Sequence, residues 1–237
     1  MTPPAHRTAR ALARQTLTAE ILDAARRQLA ELGPGQLSLR AISRELGMTS
    51  SAIYRYFASR DELLTVLLVE SYTALGDIAE RAALGAGTAG ERFVATCRSV
   101  RAWAKERPHE WSLLYGSPVP GYRAPEQTVD PASRMPLALL RLAEQGLRDG
   151  QLTPPQAPEA LAPELSAQVA AMAKAMGGDL PDWLGVRMGG AWTQLMGTIS
   201  AELYGHLVGT FDPSDDFAEY VWAATARRVG FSDPAAG

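Results

Sequence analysis

Only one cysteine, Cys97, occurs in the chain. That excludes an intrachain disulfide and a cysteine-only metal site, and it fits a reducing cytosol. Long apolar runs are missing too: the uninterrupted stretches span only a few residues, as from Val66 to Val69, far short of a membrane span. No alternation of apolar and polar residues outweighs helical spacing, and no fixed-period repeat stands out, which argues against β architectures and solenoids. Lysine is absent from the first 60 residues. The expectation is a cytoplasmic chain with no membrane partner.

What is present is ordinary for a globular protein: 237 residues, 46% hydrophobic and 21% charged. The net charge of −3 conceals an asymmetry. Residues 1–60 carry nine Arg against four acids, a balance of +5, which leaves −8 on the remainder. A basic front on an acidic body suits a protein whose front alone meets a polyanion. Residues 1–15 hold Pro3, Pro4, His6, Arg7, Arg10 and Arg14 with no acid before Glu20, and read as a flexible basic arm.

The apolar periodicity predicts an all-α protein. Leu17, Ile21, Ala24, Ala25, Leu29 and Leu32 give a helix over 16–32, stopped by Gly33-Pro34-Gly35. Ser38 is a candidate N-cap for a short helix ending at Gly47, and Thr49 for a second one reaching Phe57. Capping boxes at Ser59/Glu62 and Thr88/Glu91 open helices to about Ala83 and Arg107. A short helix is expected around 110–115. The prolines between Ser117 and Pro131 predict a loop, with helical spacing resuming from Leu137 to Leu147. Helices over 164–176, 182–208 and 215–229 complete the chain.

Residues 38–57 therefore read as helix, tight Gly turn, helix, the unit whose second helix enters the DNA major groove. Ala41, Ile42, Leu46, Met48, Ile53 and Phe57 can pack the two helices together, leaving Thr49, Ser50, Ser51, Tyr54, Arg55 and Tyr56 outward. Hydroxyls, phenols and a guanidinium can donate to phosphates and base edges. An ordinary helical hairpin with a polar face would look similar; the positive balance of the front disfavours it.

Four linked segments carry a resemblance. Ile21-Leu22-Asp23-Ala24-Ala25 is followed by Leu39-Arg40-Ala41-Ile42-Ser43-Arg44-Glu45-Leu46-Gly47-Met48. Then come Ser51-Ala52-Ile53-Tyr54-Arg55-Tyr56-Phe57 and Ser59-Arg60-Asp61-Glu62-Leu63-Leu64. In order and spacing they resemble the DNA-binding domain of the TetR family of bacterial transcriptional regulators, with Ser43 where Ala is usual and Met48 where Val is usual. The resemblance implies that Ser38 and Arg40 contact phosphate. It places Thr49, Ser50, Ser51 and Arg55 at base edges, and Tyr54, Tyr56 and Arg60 on the DNA backbone. It also implies a homodimer on a near-palindromic double-stranded DNA operator, released when a small molecule enters the body. The segment from Trp111 to Tyr122, with Trp192 and Gly197, resembles the family branch marked by Trp, His and Gly, although Met196 stands where His is usual.

The organisation expected is a basic arm (1–15), a helix-turn-helix DNA-binding domain (16–63) and a helical effector-binding and dimerisation domain (64–237). Phe93, Trp103, Trp111, Tyr115, Met172, Met176, Trp192 and Met196 are candidates for an apolar effector pocket, since large aromatics and adaptable Met suit one. Plain core is the competing role for each. In the helix over 182–208, Gly185, Gly189, Gly190, Gly197 and Gly205 each cost roughly 1 kcal/mol of helix propensity, which close helix packing would offset. Gly185 and Gly189 share a face; Phe217, Tyr220, Val221 and Ala224 form a stripe on the final helix. The resemblance puts these two helices in a four-helix dimer interface. Packing of Trp183 and Trp192 against the glycines within one subunit is the alternative.

Other motifs are weaker. Gly85-Ala86-Gly87-Thr88-Ala89-Gly90 matches G-x-G-x-x-G but lacks the preceding strand a dinucleotide site requires, so it reads as an interhelical connection. Glu202 and His206 share a helical face and suggest a local hydrogen-bonded pair, since no second His or Cys has metal spacing. Nothing supports enzyme activity, a metal or a cofactor. A helical ligand-binding or enzymatic protein whose head no longer binds DNA is the second function class.

Overall fold

The computed structural model describes residues 9–157, 160–175 and 180–232. Among them the chain is helical throughout, with one isolated antiparallel bridge between Leu152 and Phe231. The helices are α1 (Ala9–Leu32), α2 (Leu39–Glu45), α3 (Ser50–Ile53), α4 (Arg60–Ala83) and α5 (Ala89–Glu106). They continue with α6 (Pro108–Tyr115), α7 (Val129–Arg148), α8 (Pro163–Ala175), α9 (Asp182–Leu203) and α10 (Asp215–Val229). Two compact units result. Of the described residues, the first holds those up to Ser71 together with His109–Thr128; the second holds Tyr72–Pro108 and those from Val129 onward. The division along α4 thus falls after residue 71 rather than 63, and most of α6 joins the first unit.

In the first unit, Ile21, Ala24, Ala25 and Leu29 of α1 are buried with Ile42 of α2, Ile53 of α3, Phe57, and Leu63, Leu64 and Leu67 of α4. Removing that apolar surface from water is the main force holding the two short helices α2 and α3 against α1 and α4. The polar ties are at the edge. Arg26 bridges Asp23 (2.8 Å) and Glu70 (2.5 Å), and Arg27 donates to Glu45 (2.7 Å). The Thr65 and Tyr122 hydroxyls meet at 2.8 Å, and Ser71 donates to Glu110.

The second unit has its own core of Phe93, Val100, Trp103, Met135, Leu139, Leu184, Leu195, Ile199 and Trp222. Arg134 on α7 clamps α4 with bonds to Asp77 (2.6 Å) and Glu80 (2.6 and 3.0 Å), and its Cβ lies so near Gly76 that a side chain there would collide. Arg101 on α5 holds Glu202 of α9 (2.6 Å) and Asp215 of α10 (2.8 Å), with Lys105 3.2 Å from Glu202. Cys97 is buried on α5, and that burial pushes its thiol pKa well up.

Several helix ends differ from the periodicity. The first helix starts at Ala9, so residues 9–15, assigned above to the arm, are helical. Residues 1–8 of the arm lie outside the described residues. Helix α7 begins at Val129, eight residues before the expected Leu137. Pro131 falls in its first turn, where an amide has no intrahelical acceptor to lose, and Pro136 sits inside it. Helix α9 stops at Leu203, and the chain turns through Gly205 (φ 79°) instead of running to Val208. The Thr88/Glu91 capping box forms in full. At Ser59, half of the expected box forms: the hydroxyl accepts from the Glu62 amide, while the Glu62 carboxylate accepts from Ala58.

Candidate nucleic-acid interface

The helix-turn-helix is built from local chemistry. Ser38 caps α2 by accepting from the Ala41 amide, while its own N–H donates to the buried Gln28 side chain (3.1 Å). The turn after α2 runs through Gly47 at φ 64°, a left-handed conformation that a side chain disfavours, and the Met48 amide closes it onto the Ser43 carbonyl (2.8 Å). Thr49 then starts α3, but its hydroxyl meets Ser51 (3.3 Å) rather than capping the helix. The second motif helix is only one turn long, Ser50–Ile53, and continues as tight turns to Phe57.

Ile53 and Phe57 anchor this element from below. Thr49, Ser50, Ser51, Tyr54 and Arg55 are all exposed, as is Arg40 on α2; Ser38 and Tyr56 are half-buried. The structure therefore brings eight of the nine predicted residues to one motif with polar groups at its surface. Arg60 is the exception. Its Nε donates to the Leu37 carbonyl (3.1 Å) and its Nη2 to those of Pro34 (2.8 Å) and Gly35 (3.0 Å). Its guanidinium ties α4 to the turn after α1. Sequence reasoning missed Arg14, which reaches across to the end of the second motif helix. Arg14 had been placed in the arm, and only the helical start at Ala9 puts it there.

The second unit contains an apolar cavity of about 340 Å³ lined by Ser133, Pro136, Leu139, Leu140, Met172, Met188, Gly189 and Trp192. Two predicted pocket residues, Met172 and Trp192, line it. Phe93 and Trp103 are instead buried core, with Phe93 against Phe231 (centroids 5.4 Å apart). Trp111 and Tyr115 pack on each other in the first unit (4.7 Å). Met196 is half-buried and does not line the cavity. Met176 lies outside the described residues. Ser133 and Pro136 escaped sequence reasoning because prolines 131 and 136 obscured the start of α7.

The predicted dimer residues also divide. Gly185 is buried, and a Cβ there would overlap the Val169 side chain on α8, so it serves packing within the unit. Gly189 faces the cavity. Val221 is buried, Phe217 and Ala224 are half-buried, and Tyr220 is 68% exposed. Gly189 is also exposed, and with Gly190, Thr193 and Gly197 it forms the exposed stripe of α9. Glu202 pairs with Arg101, Lys105 and Ser214 rather than with His206. Burial works against its charge, but the bonds from Arg101, Ser214 and Lys105 outweigh it and bring the carboxyl down to about 2. Among the described residues, no group of three or more His, Cys, Asp or Glu side chains could hold a metal ion. No helix there is long and apolar enough to cross a membrane.

Comparison with known proteins matches residues 21–67 to the family described as bacterial regulatory proteins, tetR family. Residues 93–225 match the tetracyclin repressor-like C-terminal domain. The HTH-type transcriptional regulators Rv1816 of Mycobacterium tuberculosis and Mb1846 of Mycobacterium bovis are each 40% identical over 198 residues, covering 81% of this chain and 83% of theirs. A TetR family transcription regulator from Marinobacter aquaeolei VT8 shares the fold, with a TM-score of 0.62 and 17% identity over 93% of this chain and 99% of that one. A Rhodococcus sp. RHA1 protein of unknown function superimposes with a TM-score of 0.66 and 21% identity over 96% of this chain and 97% of its own. The chain belongs to the TetR family, whose members bind DNA operators and usually act as dimers with effector ligands, and it is a DNA-binding transcriptional regulator, not an enzyme.

Proposed function

We propose that this regulator is a cytoplasmic, homodimeric repressor that leaves a near-palindromic operator when a small apolar or amphipathic molecule occupies the second unit. The reading rests above all on the cavity: about 340 Å³, within the range of small-molecule sites, with Ser133 and Trp192 the only lining side chains among the described residues that carry a nitrogen or oxygen. A lining of Leu, Met, Pro and Trp offers a fixed charge no partner, so an uncharged or weakly charged ligand is favoured.

On the DNA side, Thr49, Ser50, Ser51 and Arg55 are assigned to base edges. Ser38, Arg40, Tyr54 and Tyr56 are assigned to the sugar-phosphate backbone. Arg60 leaves that set because its Nε and Nη2 donate to carbonyls of its own unit. For the dimer, buried Gly185 leaves the set, and the exposed stripe of Gly189, Gly190, Thr193 and Gly197 is joined by Tyr220. Two-fold symmetry then calls for recognition elements about 34–36 Å apart, or a near multiple. The effector must discriminate between DNA-competent and incompetent states; a tenfold preference shifts the balance by only about 1.4 kcal/mol.

Sequencing genomic fragments captured by the purified protein, followed by a release screen with neutral apolar and with highly charged metabolites, tests both halves. Release by the first set alone is expected. Release by charged metabolites alone would refute the effector class, and capture without a shared sequence would refute specific operator binding.

A further inference from the structure

A one-turn helix has no stability of its own in water, because nucleation costs more than one turn returns. The direction in which α3 presents its side chains must therefore come from its surroundings. Ile53 and Phe57 fix its buried side. The other fixed point is Arg55 itself. Its N–H donates to the Ala52 carbonyl (3.1 Å), and its carbonyl accepts from Nη2 of Arg14, 41 residues earlier, at 3.1 Å. The peptide groups on both sides of the Arg55 Cα are thus held. The Arg14 guanidinium also lies 5.0 Å from the centroid of the Tyr56 ring. A planar guanidinium can donate along one edge and stack on an aromatic face at once, and a cation at a helix C-terminus is favourable.

We propose that Arg14 is a positioning residue for base readout: from α1 it fixes the Arg55 backbone and the Tyr56 ring, and so sets the angle at which Arg55 meets a base edge. It acts through those two residues, not through a phosphate. This rests on the assignment of Arg55 to the reading face.

The test uses the full chain and two probes: a duplex enriched by the wild-type protein from a random-sequence pool, and a scrambled duplex of equal length. Arg14→Ala and Arg14→Lys should each narrow the ratio of the two affinities by about tenfold. Arg14→Lys should leave the scrambled duplex and the salt dependence unchanged, since charge is retained but the planar fork is lost. If Arg14→Lys restores the ratio, or if Arg14→Ala weakens both duplexes equally and flattens the salt slope by about one, Arg14 is a phosphate contact and the inference fails. Arg55→Ala separates the two levels. Where it narrows the ratio and the Arg14 variants do not, only the inference falls. Where it leaves the ratio unchanged, the reading-face assignment falls and takes the inference with it.

Discussion

Arg60→Ala separates a structural arginine from a DNA-binding one. The guanidinium makes two partly buried bonds, to the carbonyls of Leu37 (3.1 Å) and Pro34 (2.8 Å), and an exposed one to Gly35 (3.0 Å). A hydrogen bond from a charged donor contributes about 1.5–3 kcal/mol net, and an exposed one much less. Counting the two partly buried bonds at the low end gives about 3 kcal/mol. Against a typical total of about 5–15 kcal/mol, that is a large share of the stability of the DNA-binding unit. With a urea slope of about 1–3 kcal/mol/M, the midpoint should fall by about 1–3 M. The same variant, measured cold and without urea, should keep the wild-type dependence of DNA affinity on salt, because no phosphate contact has been removed. A midpoint that does not move, together with a salt slope flatter by about one, would show that Arg60 grips the DNA backbone after all.

Arg55→Ala should relax preference at one base position by about 1–3 kcal/mol, read from selection on a randomised duplex. The Glu202 carboxyl is depressed from 4.5 to about 2 in the folded state, so the stability it contributes is present above pH 4.5 and is lost as pH falls toward 2. Glu202→Gln should flatten acid unfolding in that window, followed by circular dichroism. Gly189→Leu should intrude on the cavity, so that a higher effector concentration is needed for release in a gel shift. Gly190→Leu should instead lower dimer affinity and operator binding together, seen by sedimentation and gel shift.

Where a single side chain decides a helix end, the sequence was legible. The Ser38 cap, the Gly47 turn and the Thr88/Glu91 box each name their own local partner, and α10 occupies the predicted 215–229. The motif surface was legible for the same reason: with Ile53 and Phe57 buried at helical spacing, the residues between them must face out. Long-range partners were not legible. Nothing in the order of residues says that Arg60 finds three carbonyls 23 to 26 positions earlier, or that Val169 packs on Gly185. Aromatic and Met residues suit core and pocket alike, so only the packing around Trp103 and Trp192 tells them apart. The early start of α1 did leave a signal, since Ala9, Ala11 and Ala13 favour helix, but without an apolar stripe the arginines read as an arm.

The burial of Cys97 has an experimental consequence. Its thiol on α5 is buried, and that burial raises its pKa, so alkylating reagents and mild oxidants should react with it slowly in the folded chain. Because the sequence has no other cysteine, the natural protein already serves as a silent background for site-directed labelling. A cysteine introduced at exposed Arg40 or Ser51 would carry a spin label or fluorophore alone. Pairs of such labels across a dimer would report the separation of the two recognition elements, with and without effector, as a ruler on the switch itself.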